Sequence, residues 1–418
     1  MRQRILNHKR FFAACVVLIA GVLSYALCHD AAHAKDRTEF GSSPNPVGSG
    51  ARALGMGGAF IALADDATAA SWNPGGLTQL ETPEVSAVGA GYCRIEDNSF
   101  ARFPRASGEQ STYKGALNYL SGAYPFTLLG RNMIVSLNYQ HLYDFDREWD
   151  LNAPSGRISF QQEGALYAYG LAYGIQVSPG LSLGLTLNLW QDGPYENGWT
   201  QTMSVDGGLF SKDRFSFEGF NANYGVLWFP TGKLSIGAVF KMPFTADLKH
   251  TRNRPDLDPP KKSFSEDLDM PMSYGIGVAY RFTDRLIVAL DAYRTHWQDF
   301  VLTSPQGKTS AVSGLPLNKS DIDATTQVRF GGEYFIIKPP YTIPLRAGVF
   351  YDPAPAERRP DTFWGLSLGS GINIGRFIFD FAYQYRFGSD VGSSLVPGVG
   401  FSQDVDEHSF ITSLIVHF

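Results

Sequence analysis

Beyond residue 34 the chain has no apolar run long enough to cross a bilayer as a helix, yet segment after segment alternates between large apolar and small or polar side chains. In 376–386, Phe377, Phe379, Phe381, Tyr383 and Tyr385 share one face, opposite Ile378, Asp380, Ala382, Gln384 and Arg386. That period of two describes a strand between hydrocarbon and a wet interior. Leu181, Leu183, Leu185, Leu187 and Leu189 oppose Ser182, Gly184, Thr186 and Asn188 in the same way, as Met272, Tyr274, Ile276, Val278 and Tyr280 oppose Ser273, Gly275, Gly277 and Arg281. A lipid-facing strand satisfies its backbone only through neighbours in a closed sheet. A water-soluble two-layer β protein would also alternate, but it needs a partner layer for every apolar face.

The pattern predicts an all-β fold, a 14-stranded antiparallel transmembrane barrel, with strands near 83–93, 113–125, 132–144, 161–176, 181–191, 213–228, 234–247, 264–281, 285–296, 323–336, 342–352, 360–373, 376–386 and 406–418. Short turns such as Pro179-Gly180, Thr231-Gly232-Lys233, Thr283-Asp284 and Ile374-Gly375 alternate with long polar segments near 94–112, 145–160, 192–212, 249–263, 297–322 and 387–405. That asymmetry is expected of short periplasmic turns and long outer loops. Trp149, Trp190, Trp199, Trp228, Trp297 and Trp364 fall near strand ends or loops, where interface anchors are expected.

The start of the chain reads as an export signal. Residues 1–10 carry four basic side chains and no acidic one, an apolar stretch follows, and Ala32-His33-Ala34 offers a small-x-small cleavage site. Cleavage after Ala34 makes 1–34 a signal peptide; a lipid anchor at Cys28 fits less well behind bulky Leu27. The remainder carries 31 basic against 39 acidic residues and a single cysteine, Cys93. Such a chain forms no internal disulfide and is a poor partner for nucleic acid.

Residues 35–82 precede the first strand and do not alternate. They are rich in Gly, Ala and Pro, too apolar for a solvated tail, and are expected to pack as a plug in the lumen of the barrel, 83–418. Gly55, Gly57 and Gly58 permit tight corners or close backbone approach, and Pro74 favours an extended Asn73. Gly55-Met56-Gly57-Gly58 is not a phosphate loop, lacking the Lys-Ser/Thr continuation. Alternation places Lys241, Arg281, Asp291, Arg329, Glu333, Arg346, Asp380 and Arg386 on inward faces. Polar satisfaction across neighbouring strands is their default role.

The run Gly50-Ala51-Arg52-Ala53-Leu54-Gly55-Met56-Gly57-Gly58-Ala59-Phe60, then Ala64-Asp65-Asp66-Ala67, then Trp72-Asn73-Pro74-Gly75-Gly76-Leu77, resembles the hatch of the FadL/TodX/OmpP1 family of outer-membrane hydrophobic-compound transporters. Asn73-Pro74-Gly75 stands where the family often has Asn-Pro-Ala. The resemblance implies a hatch-plugged barrel of the Gram-negative outer membrane, passing through it many times. It further implies passive transport of long-chain fatty acids or hydrocarbons with lateral exit, and hatch or gating roles for Arg52, Gly55, Gly57, Gly58, Asp65, Asp66, Asn73, Pro74 and Gly75. The expected partners are outer-membrane lipid, a hydrophobic small molecule and, through the strand ending at Phe418, the barrel-assembly machinery; a monomer is expected. No cofactor is implied. His141, His250, His296 and His408 have no metal-ligand spacing, and no nucleophile, base and orienter come together. The alternative is a general diffusion porin for small polar solutes; an outer-membrane enzyme or adhesin has no positive feature.

Overall fold

The computed structural model describes residues 38, 40–41, 43–45, 48–153, 156–396 and 398–418; the expected signal peptide, 1–34, lies outside them. Among the described residues, two short helices, α1 (Ala51–Gly55) and α2 (Ala69–Trp72), and a 3-10 helix, Pro74–Gln79, come first. Twenty strands follow: β1 (Glu84–Phe100), β2 (Gly108–Leu128), β3 (Arg131–Asp144), β4 (Arg147–Ala153), β5 (Gly156–Ser178), β6 (Leu181–Trp190), β7 (Gly198–Val205), β8 (Gly208–Trp228), β9 (Leu234–Lys241), β10 (Phe244–Asn253), β11 (Lys261–Met270), β12 (Ser273–Thr283), β13 (Leu286–Thr295), β14 (Val301–Ser304), β15 (Gly307–Ser310), β16 (Thr325–Lys338), β17 (Tyr341–Tyr351), β18 (Trp364–Ile374), β19 (Phe377–Val391) and β20 (Phe401–His417).

Fourteen of these close a ring. Antiparallel pairing runs β1-β2-β3-β5-β6-β8-β9-β12-β13-β16-β17-β18-β19-β20, and β20 returns to β1 from Phe100↔Phe401 to Glu84↔His417. The outward side chains are exposed apolar residues such as Leu137, Leu171, Leu183, Phe220, Ile276, Leu366 and Phe379. Each ring strand overlaps one of the segments expected from alternation, because one face had to meet lipid and the other the lumen.

Two expected strands are broken. The segment 234–247 divides at Met242-Pro243 into β9 and β10, and 264–281 divides at Pro271-Met272 into β11 and β12. Proline lacks the N–H that a ladder needs. The breaks coincide with a change of outward chemistry, from Leu234, Ile236, Ala238 and Phe240 to Thr245, Asp247, Lys249 and Thr251, which marks where the wall leaves hydrocarbon.

The long polar segments are not loose outer loops. Strands β1, β2, β5 and β8 continue into them, β4, β7 and β10 pair onto the extensions of β5 and β8, and β11, β14 and β15 carry the ladder on from β10, so the wall stands well above the membrane. Its interior there is an aromatic core containing Phe145, Trp190, Trp199, Phe215, Phe217, Trp297 and Phe300. Of the six tryptophans expected at the interface, Trp190, Trp199 and Trp297 are therefore buried inside, and Trp149 packs on Phe401 and Arg147; Trp228 and Trp364 do face outward. Periodicity fixes a residue's face but not the height at which lipid ends.

Candidate functional site

Residues 48–80 pack against strands on opposite sides of the ring. The 3-10 helix contacts β3, β5, β6 and β8, while α1 contacts β17, β18, β19 and β20 across the bore. Asp65 alone in this segment is exposed. Several contacts are backbone against backbone. A Cβ added at Gly348 of β17 would stand 2.3 Å from Gly57 N, and one at Gly184 of β6 would stand 2.1 Å from the Pro74 carbonyl carbon. The corner at Gly57 and Gly58 has φ values of 70° and 76°, which side chains with a Cβ rarely adopt.

The polar groups of the segment are fixed to the wall. Asp291 accepts from Phe60 N at 2.6 Å and Ile61 N at 2.8 Å, and Arg329 donates to Gly57 O at 2.9 Å. Asn73 is extended; its Nδ2 donates to Ile61 O at 2.8 Å and Val226 O at 2.9 Å, and its Oδ1 accepts from Gly75 N at 3.1 Å. Pro74 opens the 3-10 helix, where no N–H partner is required. Asp66 accepts from Thr68 N at 2.8 Å, and Ser367 Oγ donates to Gly55 O at 3.0 Å.

One charge chain links segment and wall. Asp380 holds Arg346 at 2.6 Å, Arg346 holds Glu333 at 2.7 Å, and Glu333 holds Arg52 at 3.0 Å, which also pairs with Asp65 and stands 3.7 Å from Asp66. Burial opposes the charge on Arg52, but Asp65, Glu333 and Asp66 outweigh it and hold the guanidinium firmly protonated. Arg386 lies above this chain, on Asp352 at 2.9 Å and Glu407 at 2.9 Å. Lys241 sits over the Tyr293 ring, 5.4 Å from its centroid. Arg281 is apart from these groups, exposed at the end of β12, where it lines a small cavity with Asp65 and Lys233.

Above the segment is a lumen cavity of about 140 Å³, lined among others by Leu54, Tyr92, Asn118, His141, Arg329 and Phe350. The strand ladder beside it is interrupted. Pairing between β2 and β3 stops at Tyr119↔Gln140, although β2 extends to Gly108 and β3 to Asp144. Each strand carries a bulge at that level: Asn118 is skipped between Val88↔Tyr119 and Gly89↔Leu117, and Leu142 between His141↔Tyr167 and Tyr143↔Leu166. An extra residue bends its strand away from its neighbour. Side chains cross the resulting seam instead of a ladder, with Asn118 Nδ2 donating to His141 O at 3.5 Å and Lys114 Nζ to Gly164 O at 3.4 Å.

Sequence reasoning missed the bulged residues, which alternation averages over, and missed Arg94, Glu96, Arg147 and Glu407. These form a buried ionic cluster, with Arg147 on Glu96 at 2.9 Å and Arg94 on both acids. The alternation of Arg94, Glu96 and Asn98 was the available signal, hidden because the stretch is polar on both faces. The wall glycines left a trace only as small inward residues. Among the described residues no three His, Cys, Asp or Glu side chains are grouped to hold a metal ion.

A family model described as outer membrane protein transport protein (OMPP1/FadL/TodX) matches residues 46–394. Among solved structures, a Pseudomonas aeruginosa FadL homologue superposes with a TM-score of 0.63 at 16% identity, covering 90% of this chain and 100% of that one. The Pseudomonas putida toluene transporter TodX gives 0.58 at 15% identity, covering 89% and 98%. The Ralstonia pickettii toluene transporter TbuX gives 0.57 at 13%, covering 90% and 99%. These likenesses are of fold. No curated protein matches the sequence.

Proposed function

Since the chain belongs to the OMPP1/FadL/TodX family of outer membrane transport proteins, we propose that it carries hydrophobic molecules passively, with residues 48–80 as a hatch and the β2–β3 seam as a sideways exit. The protein is a multi-pass barrel of the Gram-negative outer membrane. The seam is the observation that carries this reading. Its residues Asn118, His141 and Leu142 line the lumen cavity at the level where the ladder ends, and Leu117 and Leu120 of β2 are exposed on the outer face beside them.

An apolar solute gains about 0.8 kcal/mol for each methylene it buries. That gain favours capture among the aromatic side chains of the outer core and favours departure into the membrane equally well. A straight route to the periplasm meets the buried segment 48–80 and its ion pairs; a route through the seam does not. Long-chain fatty acids and hydrocarbons are the classes to try first. Arg52, Gly55, Gly57, Gly58, Asp65, Asp66, Asn73, Pro74 and Gly75 fix the position of the hatch, as Asp291, Arg329, Glu333, Arg346 and Asp380 do from the wall. The strand ending at Phe418, which closes the ring against β1, is the element offered to the assembly machinery, and the working unit is a monomer.

Uptake of a labelled long-chain fatty acid and of labelled toluene is to be measured in outer-membrane vesicles with and without the protein. Saturable uptake of either, above the rate of empty vesicles, supports the reading; equal rates for both solutes overturn it. Planar-bilayer recording separates the porin alternative, for which steady large conductance is expected.

A further inference from the structure

The seam has a polar corner whose hydrogen-bonding capacity is unused. Asn118 is 8% exposed and His141 7%, and both line the lumen cavity with Tyr92 and Leu142. Asn118 Nδ2 is engaged by Tyr92 Oη at 3.4 Å and by His141 O, but Asn118 Oδ1 has no partner among the described residues. Neither ring nitrogen of His141 has one at hydrogen-bond distance, although the Tyr143 backbone lies close to the ring. Asp144 Oδ2 is also unpartnered and stands 3.6 Å from His141 Nε2, beyond hydrogen-bond reach. Buried groups of this kind are ordinarily paired, and two neighbouring side chains that are not point to something that comes and goes.

We propose that this corner reads the head group of the transported molecule, and that the head is a neutral hydroxyl on a hydrocarbon body, an alkanol or a phenol. The inference rests on the transport reading above and names its substrate class. A neutral imidazole offers one N–H and one lone pair, whereas Asn118 Oδ1 only accepts. A hydroxyl serves both, donating to Oδ1 while accepting from the ring N–H. A bare hydrocarbon serves neither. A carboxylate only accepts, so it leaves Asn118 Oδ1 unmet, and it faces Asp144 and Asp146. Of the cations at hand, Lys114 lies within 3.5 Å of Asp144 and in direct contact with Asp146, and the three arginines that line the same cavity are already held: Arg94 by Glu96 and Glu407, Arg386 by Asp352 and Glu407, and Arg329 by Gly57 O and Gln327.

The test is equilibrium dialysis of the full chain in detergent against labelled 1-decanol, n-decane and decanoate, with empty micelles subtracted. The expected result is about tenfold tighter binding of 1-decanol than of n-decane, the scale of one buried hydrogen bond. That margin is lost in an Asn118→Leu/His141→Leu double variant and kept in His141→Gln, which retains a donor and an acceptor. Heat-modifiable gel mobility reports that each variant has folded. Equal binding of decanol and decane by the unaltered protein overturns the proposal and leaves transport standing; it is the result expected if only water occupies the corner. Tightest binding of decanoate, or a decanol margin that survives the double variant, overturns it as well. Binding of none of the three overturns both this proposal and the transport reading.

Discussion

Glu333 and Arg346 face each other directly in the β16–β17 ladder, 2.7 Å apart, and the same carboxylate takes Arg52 from the N-terminal segment. Wall and segment thus share one buried acid. Breaking such a group by removing one member leaves charges uncompensated, at a cost of about 3–5 kcal/mol. Glu333→Gln is expected to lower the temperature of the heat-modifiable gel shift and to expose Arg52 to limited trypsin digestion. A mobility transition and digest unchanged from the parent would show that the pair does not hold the segment.

Gly348→Ala places a methyl 2.3 Å from Gly57 N, inside any permitted contact, whereas Gly122→Ala on the outer face of β2 meets nothing within 4 Å. The first change is expected to destabilise by about 1–3 kcal/mol, as overpacking does, and to raise conductance in planar bilayers by displacing the segment. The second is expected to leave both unchanged. Parental conductance and stability in Gly348→Ala would contradict the backbone-to-backbone seating.

Trp297 is fully buried and its indole N–H donates to Asn45 Oδ1 at 3.1 Å and Thr325 Oγ1 at 3.1 Å. Trp297→Ala removes an anchor of the aromatic core above the membrane, and large-to-small changes of this kind cost about 3–5 kcal/mol. Hydrogen exchange is expected to accelerate in β10, β11 and β14 while the ring strands stay protected. Uniform acceleration through the ring would refute a separable outer layer.

His250, on β10 above the membrane, lies between Asp213 of β8 at 2.8 Å and Glu266 of β11 at 3.2 Å, with Arg252 also on Asp213 at 2.8 Å. Burial alone would lower its pKa, but bonding to Asp213 and Glu266 outweighs burial and raises it above the ordinary 6.5. A group whose folded pKa is raised stabilises fully below its unfolded value and loses that contribution as pH climbs through the folded value. Resistance of 244–270 to protease is therefore expected to fall as pH rises above about 6.5, and His250→Gln is expected to flatten that dependence. A variant retaining the parental pH profile would remove His250 as its source.

The order of the ring was legible in the sequence because every strand has one face in lipid, and residues such as the aromatics of 377–385 record it two by two. The ladder partner Arg346 of Glu333 was foreseeable only as some charge on a neighbouring strand; register, which alternation does not specify, decided which. Asn118, Leu142 and His141 escaped because a bulge is a local exception to the period. Pro243 and Pro271 were visible but read as interior to strands, since both flanks alternate.

What the amino-acid sequence determined by itself is which side of each strand meets hydrocarbon, and hence a closed wall of fourteen members, since that partition depends only on side-chain chemistry at successive positions. Tertiary structure alone decided how high the wall rises, which glycines admit the segment's backbone, and where the ladder opens. Those outcomes are set by register and bulges rather than by composition, and the seating of the segment depends on contacts such as Gly57 against Gly348, hundreds of positions apart.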